Sequence, residues 1–296
     1  MLQLVTIAWL NIDAIPSVRF VLVLAIGFDP DSCNRVLVEH CIADVGDNSV
    51  AVKSGMDKSG RAFARPAANT VFRDSQFVCE TFAIGSEMSG DVVNMTVSRC
   101  KFGGQGSDFA GIHLKSQRGR GGTIANLVFE DLDIDLSTST KQPFAVSANM
   151  AYSGNVPPTN KSATPTMRNV TVQRVAVHLP DTPGYSKGVF DFEGLPDSLL
   201  QDFTFKDVTV VSGATTATGD EAWKCVNATG FEFAGNVTPH PGPMCAGKTN
   251  AQAEDKEASQ TVNISNTEPR QDVLGELMDV HDGNIVQLRD TKTNRT

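Results

Sequence analysis
Apolar and polar residues alternate in short runs along this chain, and the runs recur. Taking Val38, Phe72, Val97, Phe129, Val172 and Phe205 as anchors, with spacings of 34, 25, 32, 43 and 33 residues, brings equivalent positions into columns. Two residues before the anchors stand Val36, Thr70, Met95, Leu127, Val170 and Phe203; five before stand Cys33, Ala67, Val92, Ile124, Met167 and Leu200. Three after come Cys41, Ser75, Cys100, Leu132, Val175 and Val208, and five after come Ala43, Phe77, Phe102, Ile134, Val177 and Val210. One after each anchor lie Glu39, Arg73, Ser98, Glu130, Gln173 and Lys206, which are expected to face water. A period of two is that of a strand, because successive side chains leave a strand on opposite faces.

One strand pattern recurring with its apolar columns in register is what the stacked coils of a parallel β-helix require. Each coil buries its inward row only when neighbours lie above and below it, roughly 4.8 Å away. Three before the anchors the residues are Arg35, Asn69, Asn94, Asn126, Asn169 and Asp202. Asparagine tolerates left-handed backbone angles and its amides can hydrogen-bond from coil to coil, so this column predicts a ladder at one corner. A second strand per coil is visible at 50–53, 82–85, 111–115, 144–146 and 189–192, and its outward positions are where chemistry is sought.

The repeat fades after Trp223-Lys224-Cys225. Cys225 and Cys245 enclose a Gly- and Pro-rich stretch that caps the coil stack, and these two are expected to pair. The reading divides the chain into an atypical segment 1–28, a β-helix over 29–245 and a polar tail 246–296 with one short amphipathic helix around Val273, Leu274, Leu277 and Met278. The pairing of Cys33, Cys41, Cys79 and Cys100 stays open, since spacing does not determine connectivity.

Charge narrows the partners. A net charge of −9 and a pI near 5.0 argue against a nucleic-acid partner, and an acidic ligand needs a local basic patch. Lys53, Lys115, Arg118 and Arg120 are expected to supply it, with 117–120 the densest basic cluster. N-x-S/T sequons at Asn94, Asn160, Asn169, Asn227, Asn236, Asn263 and Asn294 lean towards secretion, with Asn160, Asn227 and Asn236 the expected glycan acceptors. Asn94 and Asn169 are poor acceptors if the ladder buries them. No clear signal peptide precedes the repeat, and the apolar run 20–28 is too short to span a bilayer, so no membrane partner is expected. Neither metal nor cofactor is expected, because the histidines show no ligand spacing.

Four stretches carry a family resemblance: Phe28-Asp29-Pro30-Asp31-Ser32-Cys33, the run from Val45-Gly46-Asp47-Asn48 to Lys53-Ser54-Gly55, Ile84-Gly85-Ser86-Glu87-Met88-Ser89-Gly90, and Gly111-Ile112-His113-Leu114-Lys115 with Gly119-Arg120-Gly121-Gly122. In order and spacing they resemble successive motifs of the polygalacturonases of glycoside hydrolase family 28. The resemblance implies an all-β, single-stranded, right-handed parallel β-helix of the pectin-lyase-like class. It also implies a monomeric, secreted, inverting hydrolase of galacturonan or rhamnogalacturonan in pectin. Inversion needs a carboxylic acid to protonate the leaving oxygen and a carboxylate across the sugar to activate water.

This chain departs from that pattern. The family's Asn-Thr-Asp-Gly reads Leu24-Ala25-Ile26-Gly27, so one carboxylate is gone. Gly-Asp-Asp reads Gly46-Asp47-Asn48, which keeps the general acid at Asp47 and leaves an amide, unable to take a proton, where the second carboxylate stood. A histidine that many members carry aligns with Glu80. In the substrate-binding Arg-Ile-Lys motif the arginine is His113, expected to carry charge at acidic pH, while Lys115 remains. Asp29 and Asp31 read as turn-formers. The family places several coils before the Asp-Pro-Asp-Ser-Cys stretch and only 28 residues precede Asp29 here, so a shortened reading frame is expected. These departures predict an impaired glycosidase, with a non-catalytic carbohydrate-binding β-helix or an inert truncated product as the alternative.

Overall fold
The columns of the chain are hydrogen-bonded rows in three dimensions. The structure, a computed structural model, describes residues 18–22, 26–78, 81–104, 110–141, 143–152, 162–213 and 217–246. The tail and its expected helix, together with Cys79, Glu80 and Asn160, lie outside the described residues. All described residues belong to one unit, Leu10–Gly247. Its strands pair in parallel into a 12-stranded and a 6-stranded sheet, the two walls of a right-handed parallel β-helix.

The anchors stack directly: Val38 on Phe72, Phe72 on Val97, Val97 on Phe129, Phe129 on Val172 and Val172 on Phe205. The row five residues on is equally regular, from Ala43 through Phe77, Phe102, Ile134 and Val177 to Val210. From Phe72 onward the anchors and inward rows are buried, whereas Val36, Val38 and Cys41 in the first coil are only partly so, and the core is rich in rings. Phe72, Phe77, Phe82, Phe102 and Phe129 pack edge-on or stacked at centroid separations of 5.1–6.1 Å. Toward the other end Phe190 stacks on Trp223 at 3.9 Å, and Trp223 Nε1 donates to Pro239 O at 2.8 Å. Each such ring is worth about 1.5–3 kcal/mol on burial, and no single coil could enclose one.

The asparagine column turns the chain as expected. Arg35, Asn69, Asn94, Asn126, Asn169 and Asp202 all have φ between 54° and 61°, the left-handed region. Nδ2 of Asn126 donates to Asn94 Oδ1 (3.0 Å), and Nδ2 of Asn169 to Asn126 Oδ1 (2.8 Å); the ladder begins at Asn34, which accepts from Asn69 Nδ2 (2.8 Å). It runs along the outside, however. Asn94 and Asn169 are exposed rather than buried, and what occupies them is the amide bond itself.

Two further expectations are corrected. Ser98, read as facing water, is 4% exposed, because the longer Arg73 and Glu130 stacked on either side of it cover its short side chain. The repeat does not stop at Cys225: strands Ala228–Thr229 and Glu232–Ala234 add to Leu200–Ser212, with Phe233 on Phe205. This coil escaped notice because glycines with φ 67° and 63°, Gly230 and Gly235, hold its two corners in place of Asn and Asp. Upstream, strand Val18–Leu22 pairs in parallel with Cys41–Val45. Cys225 and Cys245 are joined in a disulfide, 20 residues apart. Cys33, Cys41 and Cys100 instead donate S–H to the carbonyl two residues back, at 3.1–3.3 Å, and burial pushes the Cys100 thiol up to about 11.

The ladder makes a separable prediction. Asn126→Ala loses both the left-handed tolerance and two amide bonds, a cost of about 2 kcal/mol, whereas Asn126→Gly keeps the backbone angle and costs about 1 kcal/mol. Urea unfolding midpoints of the two variants check the order.

Candidate functional site
The 6-stranded sheet consists of Val50–Val52, Phe82–Ile84, Ala110–Lys115, Phe144–Asn149, Phe190–Glu193 and Trp223–Val226. Alternation sends Ile112 and Leu114 into the core and His113 and Lys115 outwards. Parallel register then aligns two outward rows along the stack. One runs Ala51, Ala83, His113, Ser147, Asp191, Lys224. The other carries Lys115, Asn149 and Glu193, with Lys53 and Gly85 upstream. Gly85 is required there: with φ 83°, a Cβ would meet the carbonyl oxygen of Lys115 at 2.1 Å.

Phe28 and Asp31 bridge to Val50 and Lys53, so the Asp-Pro-Asp turn edges the same face. Lys53 Nζ lies 3.2 Å from Asp29 Oδ2. Burial holds the Asp29 carboxyl above its usual range against the pull of Lys53, and the charges of Asp31 and Glu87 add to the rise. Asp47 accepts from its neighbour, its Oδ1 taking Asn48 N at 2.6 Å and Asn48 Nδ2 at 2.9 Å. Gly27 N donates to Asn48 O at 3.1 Å. Ile26, the residue before Gly27, is thereby brought near Asn48, and the two positions that depart from the resemblance are neighbours in space.

Tyr152, which follows strand Phe144–Asn149, joins the charged groups. Its ring meets His113 edge-on at 5.8 Å, and Lys115 Nζ sits 5.4 Å above its centroid. Burial, then the charges of Glu87 and Asp47, raise its hydroxyl pKa. His113 also packs on Phe144 at 5.9 Å. The expectation that His113 charges at acidic pH is corrected: burial first, and the nearby Lys115 second, push its pKa down to about 3. It stays neutral.

The expected basic patch does not assemble. Arg120 is 1% exposed on its side chain and ion-paired with Asp57 at the start of the short helix Asp57–Phe63. Arg61 Nη1 donates to the carbonyls of Gly119 and Arg120. Arg118 pairs with Asp197 in a bidentate contact. Both guanidiniums thus hold loops together. Lys53, Asp47, His113 and Lys115 share the groove with residues that sequence reasoning had given no role: Glu87, Tyr152, Asp191, Glu193 and Lys224. Lys224 Nζ bridges Asp191 Oδ1 (3.3 Å) and Glu193 Oε2 (3.6 Å). Glu87 stood inside a quoted motif, and the outward parity of strand 190–193 could have flagged Asp191 and Glu193; nothing in the sequence places Tyr152. Among the described residues no three of His, Cys, Asp and Glu group as a metal would need. Of the sequons, Asn236 is exposed, while Asn227 is part-buried and its Nδ2 donates to Gly194 O at 3.2 Å.

Comparison with known proteins places residues 25–237 on the profile of the glycosyl hydrolases family 28. A Vitis vinifera protein described as a probable polygalacturonase is 35% identical over 104 residues, which is 34% of this chain and 21% of that protein. A Ralstonia solanacearum polygalacturonase is 32% identical over 108 residues, 36% of this chain and 19% of the relative. The matched stretch thus spans about a fifth of these relatives. The crystal structure of a hyperthermoactive exopolygalacturonase from Thermotoga maritima shares the fold at a TM-score of 0.52 and 23% identity, over 70% of this chain and 44% of that one.

His113 gives a pH prediction. Its pKa is 6.5 in the unfolded chain and about 3 when folded, so between these values only the unfolded chain binds the proton. Stability therefore falls as pH drops through that window. His113→Asn, which cannot titrate, is expected to flatten this part of the acid loss in urea midpoints measured at about pH 7 and pH 4.5, either side of the ordinary imidazole range.

Proposed function
Since the chain belongs to the glycosyl hydrolases family 28, we propose that it is a polygalacturonase-type glycosidase directed at pectin outside the cell, with its hydrolytic step impaired. The observation that carries this reading lies at the amino-terminal side of the groove: Gly27, next to Ile26, bonds the backbone of Asn48, and Asn48 occupies one oxygen of the Asp47 carboxylate with two donors. Asp47 protonates the leaving oxygen in this scheme. Water must then be activated from across the sugar, by a group about 6.5–9.5 Å from the acid. Asn48 can hold a water but cannot accept its proton, and Ile26 can do neither. Loss of a general base costs about 10²- to 10⁴-fold in rate.

The sequons and the Cys225–Cys245 disulfide support an oxidising, secreted setting. A second reading is a carbohydrate-binding β-helix without turnover. It is favoured by the same contact: Asn48 N and Nδ2 both donate to Asp47 Oδ1, so that oxygen is engaged within the protein instead of being free for a leaving group.

Release of reducing ends from polygalacturonate distinguishes the two. The double substitution Ile26→Asp with Asn48→Asp is expected to raise the rate by about 10²-fold or more, and Asp47→Ala in that background to remove the gain. A doubly substituted chain as slow as the parent, yet still retained by pectin, would leave the binding reading standing.

A further inference from the structure
We propose that the groove between His113 and Lys224 recognises an uncharged pyranose, either a methyl-esterified galacturonate or a neutral sugar, in preference to free galacturonate, and that His113, Asp191 and Glu193 set this preference. The inference rests on the pectin-directed reading and refines it to a substrate class.

The first argument is charge. Among the described side chains of the groove, the acids Asp29, Asp47, Glu87, Asp191 and Glu193 face the cations Lys53, Lys115 and Lys224. The cations are engaged from within. Lys53 meets Asp29, Lys224 meets Asp191 and Glu193, and Lys115 lies over the Tyr152 ring. The two arginines that could offset the acids are committed to Asp197 and Asp57. A polyanion laid here meets like charge, with no uncommitted guanidinium among the described groove side chains named above to receive it.

The second argument is shape and polarity. The outward rows step coil by coil by roughly 4.8 Å, so a saccharide running along the stack passes from His113 over Ser147 to Asp191 and Lys224. At His113 it meets an imidazole flanked by Phe144 at 5.9 Å and Tyr152 at 5.8 Å, a surface suited to the C–H face of a ring. Two coils on it meets the Asp191–Lys224–Glu193 array, whose carboxylates accept from hydroxyls and whose ammonium donates to them. A hydroxyl satisfies either partner. A free carboxylate satisfies only Lys224 and is repelled by the other two. Lys224 already serves both, so it has little left to offer.

Titration calorimetry of the full chain against three probes tests this: a methyl-esterified oligogalacturonide, the same oligomer de-esterified, and a rhamnogalacturonan oligosaccharide. Tighter binding of the ester, of the rhamnose-containing probe, or of both, by about tenfold over the free acid at an ionic strength near 0.01 M, is expected, and which probe leads identifies the source of the uncharged ring. The gap should close near 1 M salt, where the Debye length falls to about 3 Å. Glu193→Gln, isosteric and part-exposed, should narrow it at low salt by improving only the free acid. Equal or tighter binding of the free acid at low salt overturns the inference while leaving the pectin reading intact, as does a gap that neither salt nor Glu193→Gln moves. Failure to bind any of the three overturns both.

Discussion
The position of every outward side chain in this molecule follows from coil-to-coil hydrogen bonding in strict parallel register. A β-helix has no independent core per coil, so a slip of one residue would turn a whole inward row to water. Two columns of left-handed corners hold the register. The first is the asparagine ladder. The second lies two residues after the anchors, at His40, Asp74, Arg99, Asp131, Arg174 and Asp207, with φ between 51° and 55°. From Asp74 to Asp207 the side chains alternate in sign, Arg99 bonding Asp74 through two nitrogens and Arg174 bonding Asp131 in the same way. These contacts depress the pKa of both carboxyls, although exposure keeps the stability each supplies modest. Their weight is in specificity, since a slip of one residue would break both bidentate pairs.

This division of labour bears on the groove. Arginine fits bidentate contact with a carboxylate, and the described arginines in such contacts are spent on the scaffold: Arg99 and Arg174 at the corner, Arg118 on Asp197. Arg120 is buried against Asp57 in the short helix. The groove is left with lysines: Lys53 and Lys224 are matched by carboxylates of the protein itself, and Lys115 sits over the Tyr152 ring. What a ligand meets is a polar surface nearly neutral in its pairs and acidic in sum, with a ring-lined patch around His113.

The scaffold and the chemistry are separable here. Aligned rows require only that Gly85 stay small, that corners accept positive φ and that Phe and Val columns fill the interior, and all these hold. In the reading proposed above, activation of water calls for carboxylates at positions 26 and 48, where this chain has Ile26 and Asn48.

The stacking itself was legible in the chain. Anchors from Val38 to Phe205 pair as the columns aligned them, since period-two burial and Asn corners leave a direct mark on composition. The coil at Phe233 left a fainter mark, its corners being glycine. The destinations of long charged side chains left none. Nothing local tells Arg120 to turn inward to Asp57, 63 residues away, rather than outward with Lys115. Nor does it tell Tyr152 to fold back over His113, or His113 to stay neutral. A backbone column is determined residue by residue through sterics and hydrogen bonding, whereas the partner and protonation of a flexible ionisable group depend on burial and field, which exist only once the coils are stacked.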